Sequence, residues 1–133
     1  MLAPGPRHLQ EERPRQQLVL ILSHDVVAAA LLGGIIETLG YQARFPQPTE
    51  RAEESLRRVR PRICFVDCDD PCSCHTEFLG RATMRGVCIV IFGTKKALDH
   101  ARAIVMAHDV EMLTMPPPLK ALELLLQNAG AND

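Results

Sequence analysis

The sequence predicts a single doubly wound α/β domain, a parallel β-sheet with helices on both faces. Continuous apolar runs of strand length stand at Leu18–Leu22, Ile63–Val66 and Cys88–Phe92, as in strands covered on both sides. Helical stretches separate them, and right-handed crossovers between successive strands then make the sheet parallel. The length of 133 residues fits one domain of about 100–200 residues.

Each element follows from local chemistry. Residues 1–16 carry Pro4, Pro6 and Pro14 with mixed charge and no periodicity, and read as a flexible arm. The domain proper is expected over 17–129, with a short tail at 130–133. After the first strand, Asp25 opens a helix that runs to Leu39 and stops at Gly40. Gly33 and Gly34 each weaken that helix by about 1 kcal/mol relative to alanine, which close packing against the sheet would explain. Tyr41–Phe45 is a short strand ended by Pro46. Thr49 is expected to cap a polar helix over 50–60, with Glu50, Glu53 and Glu54 early and Arg57, Arg58 and Arg60 late, an order that suits the helix dipole. Pro61 ends it.

Beyond Ile63–Val66 comes an acidic, cysteine-rich loop, Asp67–His75, and then a helix over 76–84. The Cys88–Phe92 strand is followed by a helix from Lys95 or Lys96 to Met106. Val110–Met115 is a fifth strand, Pro116–Pro118 a rigid turn, and Leu119–Gln127 a last helix.

Composition narrows the function. With 47% hydrophobic residues the chain has apolar surface enough to offset the entropy of ordering, which excludes disorder as its main state. Fifteen Lys+Arg against 16 Asp+Glu gives no basic excess for binding nucleic acid through phosphates. At 4% aromatic residues, with no Trp, stacking platforms for bases or sugars are few. No apolar run approaches the ~20 residues of a membrane span, and the N-terminal stretch has no apolar secretory core. Five cysteines are an odd number, and Cys64 and Cys88 sit in apolar runs where cysteine serves as a small hydrophobe. A reduced, cytoplasmic protein is the expectation.

In doubly wound sheets ligands sit at the carboxyl ends of the strands. Those ends are Ser23-His24-Asp25, Asp67-Cys68-Asp69-Asp70-Pro71, Gly93-Thr94 and Thr114-Met115-Pro116. No phosphate-cradling glycine loop, nucleophile elbow or nucleophile–base pair is present, so no enzymatic activity is expected.

From about Leu18 to Gln127 the chain resembles the receiver domain of bacterial two-component response regulators. The resemblance rests on Pro61-Arg-Ile-Cys-Phe-Val-Asp67-Cys-Asp-Asp-Pro71, an apolar strand ending in the phosphoacceptor position with a proline four residues on. Leu39-Gly40-Tyr41 and Leu113-Thr114-Met115-Pro116 fall at the family's spacing. It implies a flavodoxin-like five-stranded sheet of order 2-1-3-4-5 flanked by five helices. Such domains usually precede an output domain, for which these 133 residues leave no room.

The departures from the family's pattern are specific. Ser23 and His24 stand where two acids hold Mg²⁺, and Asp25 lies one position on. Gly93 replaces the hydroxyl residue, with Thr94 one position late, and Met115 replaces the lysine. Transfer of a phosphoryl group to a carboxylate needs a hard cation and positive charge to neutralise what develops, and His24 and Met115 supply neither. The expectation is therefore a degenerate receiver that serves as a protein-interaction or dimerisation module, with no cofactor. Its partner surface is expected on the last strand and last helix, at Met112, Leu122, Leu125 and Leu126, with no contact to nucleic acid or membrane. Two alternatives stay open. Asp67 could still accept phosphate with Mg²⁺, its carboxylate otherwise bonding near His24 or to loop amides. Or Cys68, Cys72, Cys74 and His75 could bind a metal or respond to redox state, since thiolates with imidazole suit zinc.

Overall fold

The computed structural model describes residues 18–131. The expected arm at 1–16 and the last two positions of the expected tail lie outside them. Five strands, β1 (Leu18–Leu22), β2 (Gln42–Arg44), β3 (Ile63–Asp67), β4 (Cys88–Gly93) and β5 (Glu111–Thr114), pair in parallel in the order β2-β1-β3-β4-β5. Six helices connect or follow them: α1 (Val26–Thr38), α2 (Ala52–Val59), α3 (Thr76–Met84), α4 (Lys95–His100), α5 (Arg102–Met106) and α6 (Leu119–Ala131).

The alternation of the central strands divides the core into two layers. Leu20, Leu22, Cys64, Val66, Ile89 and Ile91 point to one face, where Leu56 of α2, Phe78 and Leu79 of α3, and Leu98 and Val105 of α4 and α5 cover them. Val19, Ile21, Phe65, Val90, Phe92 and Leu113 point to the other, against α1 and α6. Each fully buried Leu, Ile or Phe contributes about 1.5–3 kcal/mol, so burial on both faces explains why β1, β3 and β4 read as unbroken apolar runs. Cys64 is fully buried and Cys88 half-buried.

Several boundaries differ from expectation, each for a local reason. Among the described residues there are six helices rather than five because the chain between β4 and β5 tightens at Ala101. Its amide donates to both Ala97 and Leu98 carbonyls at 3.1 Å, and it ends α4 and starts α5. Thr49 does not cap α2. The helix starts two residues later, at an N-cap of Arg51 whose amide donates to Glu54 (2.8 Å). Glu50 is drawn out of the helix, accepting from the Gln47 amide, the Ser55 hydroxyl and the Arg58 guanidinium. At the other end α6 continues past Gln127 to Ala131, since Ala129 extends the buried stripe of Leu122 and Leu126.

That stripe corrects the expected partner surface. Leu122 and Leu126 are fully buried against the sheet and Leu125 is half-buried over the same layer, so two of the four named positions are core. Met112 is exposed (41%), as are Leu119 and Leu124 on the outer side of α6. Among the described residues no helix is long and apolar enough to cross a membrane.

Candidate functional site

The carboxyl ends of β1, β3 and β4 meet around Asp67, the last residue of β3. Its register beside Phe92 places it next to Gly93 and across from Ser23. Both oxygens are engaged: Oδ2 accepts the Ser23 hydroxyl at 2.7 Å and Oδ1 accepts the Asp69 amide at 2.9 Å. Bonds from neutral donors to a carboxylate contribute about 1.5–3 kcal/mol each, so the acid is satisfied from within the chain.

His24 pairs with another acid than Asp67. Leaving β1, the chain turns, and Nδ1 of His24 faces Oδ1 of Asp70 at 2.9 Å. Asp25 turns away to cap α1, accepting from the Ala28 amide at 3.1 Å. The two residues after β1 therefore take two different acids, Ser23 the one that ends β3 and His24 one in the β3–α3 loop.

Asp70 organises that loop. It is 6% exposed; Oδ1 accepts the Cys72 amide (3.0 Å) and Oδ2 the Ser73 hydroxyl (2.8 Å), while its carbonyl accepts the Cys74 amide (2.8 Å). Sequence reasoning passed over Asp70. The available signal was Asp70-Pro71-Cys72-Ser73, an aspartate followed two and three residues later by donors it can bind in a tight turn.

The set Cys68, Cys72, Cys74 and His75, the alternative metal or redox centre, does not converge. Cys74 is buried in the core, and Cys68 lies over β4, where a Cβ on Gly93 would overlap its sulfur. His75 caps α3, accepting from the Phe78 amide through Nδ1 (3.3 Å) and facing the Cys72 carbonyl with Nε2 (3.2 Å), so both ring nitrogens are occupied. Burial, reinforced by Asp69 and Asp67, pushes the Cys68 thiol up to about 12. Burial likewise takes Cys74, also beside Asp67, up to about 11. These thiols stay protonated at neutral pH and are poor nucleophiles.

The remaining pocket positions follow the same pattern. Thr94 is spent as the N-cap of α4, accepting from the Ala97 amide at 3.1 Å. Met115 packs half-buried against the α1/α6 layer, its amide donating to the Gly93 carbonyl at 2.8 Å. Beside the site an open cleft of about 1120 Å³ runs between the start of α1, the β2–α2 loop and the β3–α3 loop, with His24, Asp70 and Cys72 at its lip.

No protein-family model matches the sequence, and no curated protein matches it. Solved structures do. The receiver domain of the sensor histidine kinase PA1611 from Pseudomonas aeruginosa superposes with a TM-score of 0.70 at 22% identity, covering 86% of this chain and 98% of that one. The fold is that of response regulator receiver domains. A response regulator receiver domain protein from Clostridium thermocellum gives 0.68 at 16% identity, over 86% and 94% of the two chains. A Burkholderia pseudomallei protein named as related to pilus assembly gives 0.65 at 21% identity, over 88% and 92%.

In the Pseudomonas receiver a magnesium ion is coordinated in the cleft. Magnesium takes near-octahedral oxygen ligands at about 2.0–2.1 Å. The receiver fold here presents a hydroxyl already donated to Asp67, an imidazole turned to Asp70, and an Asp25 committed to α1. Asp67 and Asp69 come within 4.8 Å of each other, but the third member of that group is the protonated Cys68 thiol. This donor set does not fit magnesium.

Proposed function

We propose that this chain is a receiver-fold signalling module that acts by binding a protein partner or a second copy of itself, without magnesium-dependent phosphorylation of Asp67. The observation that carries the proposal is the state of Asp67: both oxygens hold internal donors, Ser23 Oγ at 2.7 Å and the Asp69 amide at 2.9 Å. An acyl phosphate at this position would have to displace them and then find counter-charge. Phosphoryl transfer depends almost wholly on positioning and electrostatic stabilisation. The His24 imidazole is held by another acid, the Cys68 thiol lies over Gly93, and Met115 packs into the α1/α6 layer.

Solved relatives include a receiver domain of a sensor kinase and a protein related by name to pilus assembly. A partner-binding role fits both settings. The surface assigned to it is the outer side of β5 and α6, where Met112, Leu119 and Leu124 are exposed, rather than the buried Leu122 and Leu126. No catalytic chemistry, nucleic acid or membrane enters this proposal.

The test is phosphorylation of the full chain. Incubated with Mg²⁺ and acetyl phosphate, the protein is expected to keep its intact mass. One added phosphoryl group that disappears in Asp67→Ala would overturn the proposal and make the chain a working phosphoacceptor.

A further inference from the structure

We propose that His24, Asp70 and Cys72 form a binding site for a borderline transition-metal ion, with zinc the ion whose chemistry they fit. One nitrogen, one carboxylate oxygen and one sulfur, brought from the end of β1 and from the β3–α3 loop, all lie within 4.8 Å of one another. His24 Nδ1 and Asp70 Oδ1 are 2.9 Å apart. In a tetrahedral zinc site with bonds of about 2.0–2.3 Å the ligand atoms stand roughly 3.3–3.7 Å apart. Bringing the three donors to that spacing takes adjustments of about 1.5 Å or less, within the reach of exposed side chains.

The site is also built from behind. Asp70 is buried, and the Cys72 amide and Ser73 hydroxyl orient its carboxylate, as the supporting bonds of metal-ligating carboxylates do. Cys72 is the exposed loop thiol, whereas Cys68 and Cys74 are turned into the protein. The donor types exclude a hard cation such as magnesium and favour zinc or its neighbours.

Charge and protons balance. Zn²⁺ meets two negative ligands, the Asp70 carboxylate and the Cys72 thiolate, and one neutral imidazole. His24 binds through Nδ1 and carries its proton on Nε2, while the Cys72 thiol releases one proton to solvent for each ion bound. Three protein ligands leave a fourth position, which opens into the cleft of about 1120 Å³. Asp67 takes no part, so this site and the phosphorylation-free role proposed above stand or fall separately.

Cobalt(II) reports the ligands directly. Titrated into the reduced, metal-stripped full chain, it is expected to bind one to one, with a sulfur-to-cobalt charge-transfer band and tetrahedral visible absorption, both removed by added zinc. Cys72→Ser loses the charge-transfer band, and His24→Ala weakens binding by about 100-fold or more, beyond the 10–100-fold typical of supporting residues. Cys68→Ala and Asp67→Ala leave the spectrum unchanged. His24 and Cys72 are exposed, so circular dichroism of both variants should match the parent. A protein that shows no thiolate band at saturating cobalt would overturn the proposal. So would a band that persists in Cys72→Ser or disappears in Cys68→Ala.

Discussion

Placing a methyl group on Gly93 tests the packing that sets this site apart. A Cβ there would overlap the Cys68 sulfur, yet it would sit 3.7 Å from both Ala97 Cβ and Cys68 Cβ, ordinary contact distances. The whole conflict rests on one sulfur atom, and Gly93 is not in a left-handed conformation that would add backbone strain. Gly93→Ala forces that sulfur from its rotamer or parts the two strands, at a cost of about 1–3 kcal/mol. The smaller entropy of the unfolded alanine chain returns about 0.4–1 kcal/mol, leaving a net loss of about 0–2.6 kcal/mol.

With an unfolding entropy of about 2.1 cal/mol/K per residue, each kcal/mol moves the midpoint by about 4 °C for a chain this long. The expected drop is therefore up to about 10 °C. In a Cys68→Ala background the obstacle is gone, and the same substitution should be neutral or mildly stabilising. Thermal unfolding of the parent, both single variants and the double variant, followed by far-ultraviolet circular dichroism, gives the coupling. Equal shifts in the two backgrounds would refute the reasoning, as would a Gly93→Ala protein more stable than the parent.

Two further outcomes are expected. Gly34→Ala should raise stability by about 0.5–1 kcal/mol, since nothing lies within 4 Å of the added Cβ; Gly33→Ala should gain less, because its Cβ comes 2.8 Å from Phe45 Cζ and the ring must swing aside. Denaturant midpoints would show that order. Arg58, then the Gln47 amide and the Ser55 hydroxyl, hold the Glu50 carboxyl at about 2, below its usual 4.5. Its stabilising contribution is thus complete above about pH 4.5 and lost as pH falls toward 2. Glu50→Gln should melt below the parent at pH 7, with the gap closing across that acid window.

The sheet was legible because β1, β3 and β4 are buried on both faces and must be apolar throughout. The break at Ala101 was not, since Leu98, Ala101 and Val105 keep a helical spacing of buried residues straight across it. Close packing explains Gly33, which lies against Ala43 and Ile21, but not Gly34. Around the site, the residue types were readable but their pairings were not. Ser23 and His24 are adjacent in sequence, yet one bonds Asp67 and the other Asp70, because that choice depends on how the chain leaves β1 and how the β3–α3 turn closes. Likewise nothing in a list of loop cysteines separates Cys68, lodged over Gly93, from Cys72 on the surface. Those contacts join residues distant along the chain.

The divided connection between β4 and β5 also bears on how the domain breathes. α4 and α5 have six and five residues, well short of the ~12–15 at which a helix begins to persist alone. The strand they lead to, β5, is an edge strand that among the described residues pairs only with β4, and it buries only Leu113. Detaching this margin uncovers Leu98, Ala101, Val105 and Leu113 but leaves the central strands β1 and β3 covered, so local opening costs less here than in the middle of the sheet. Its amides should exchange with solvent hydrogen well before those of β1 and β3, which open only when the whole domain unfolds.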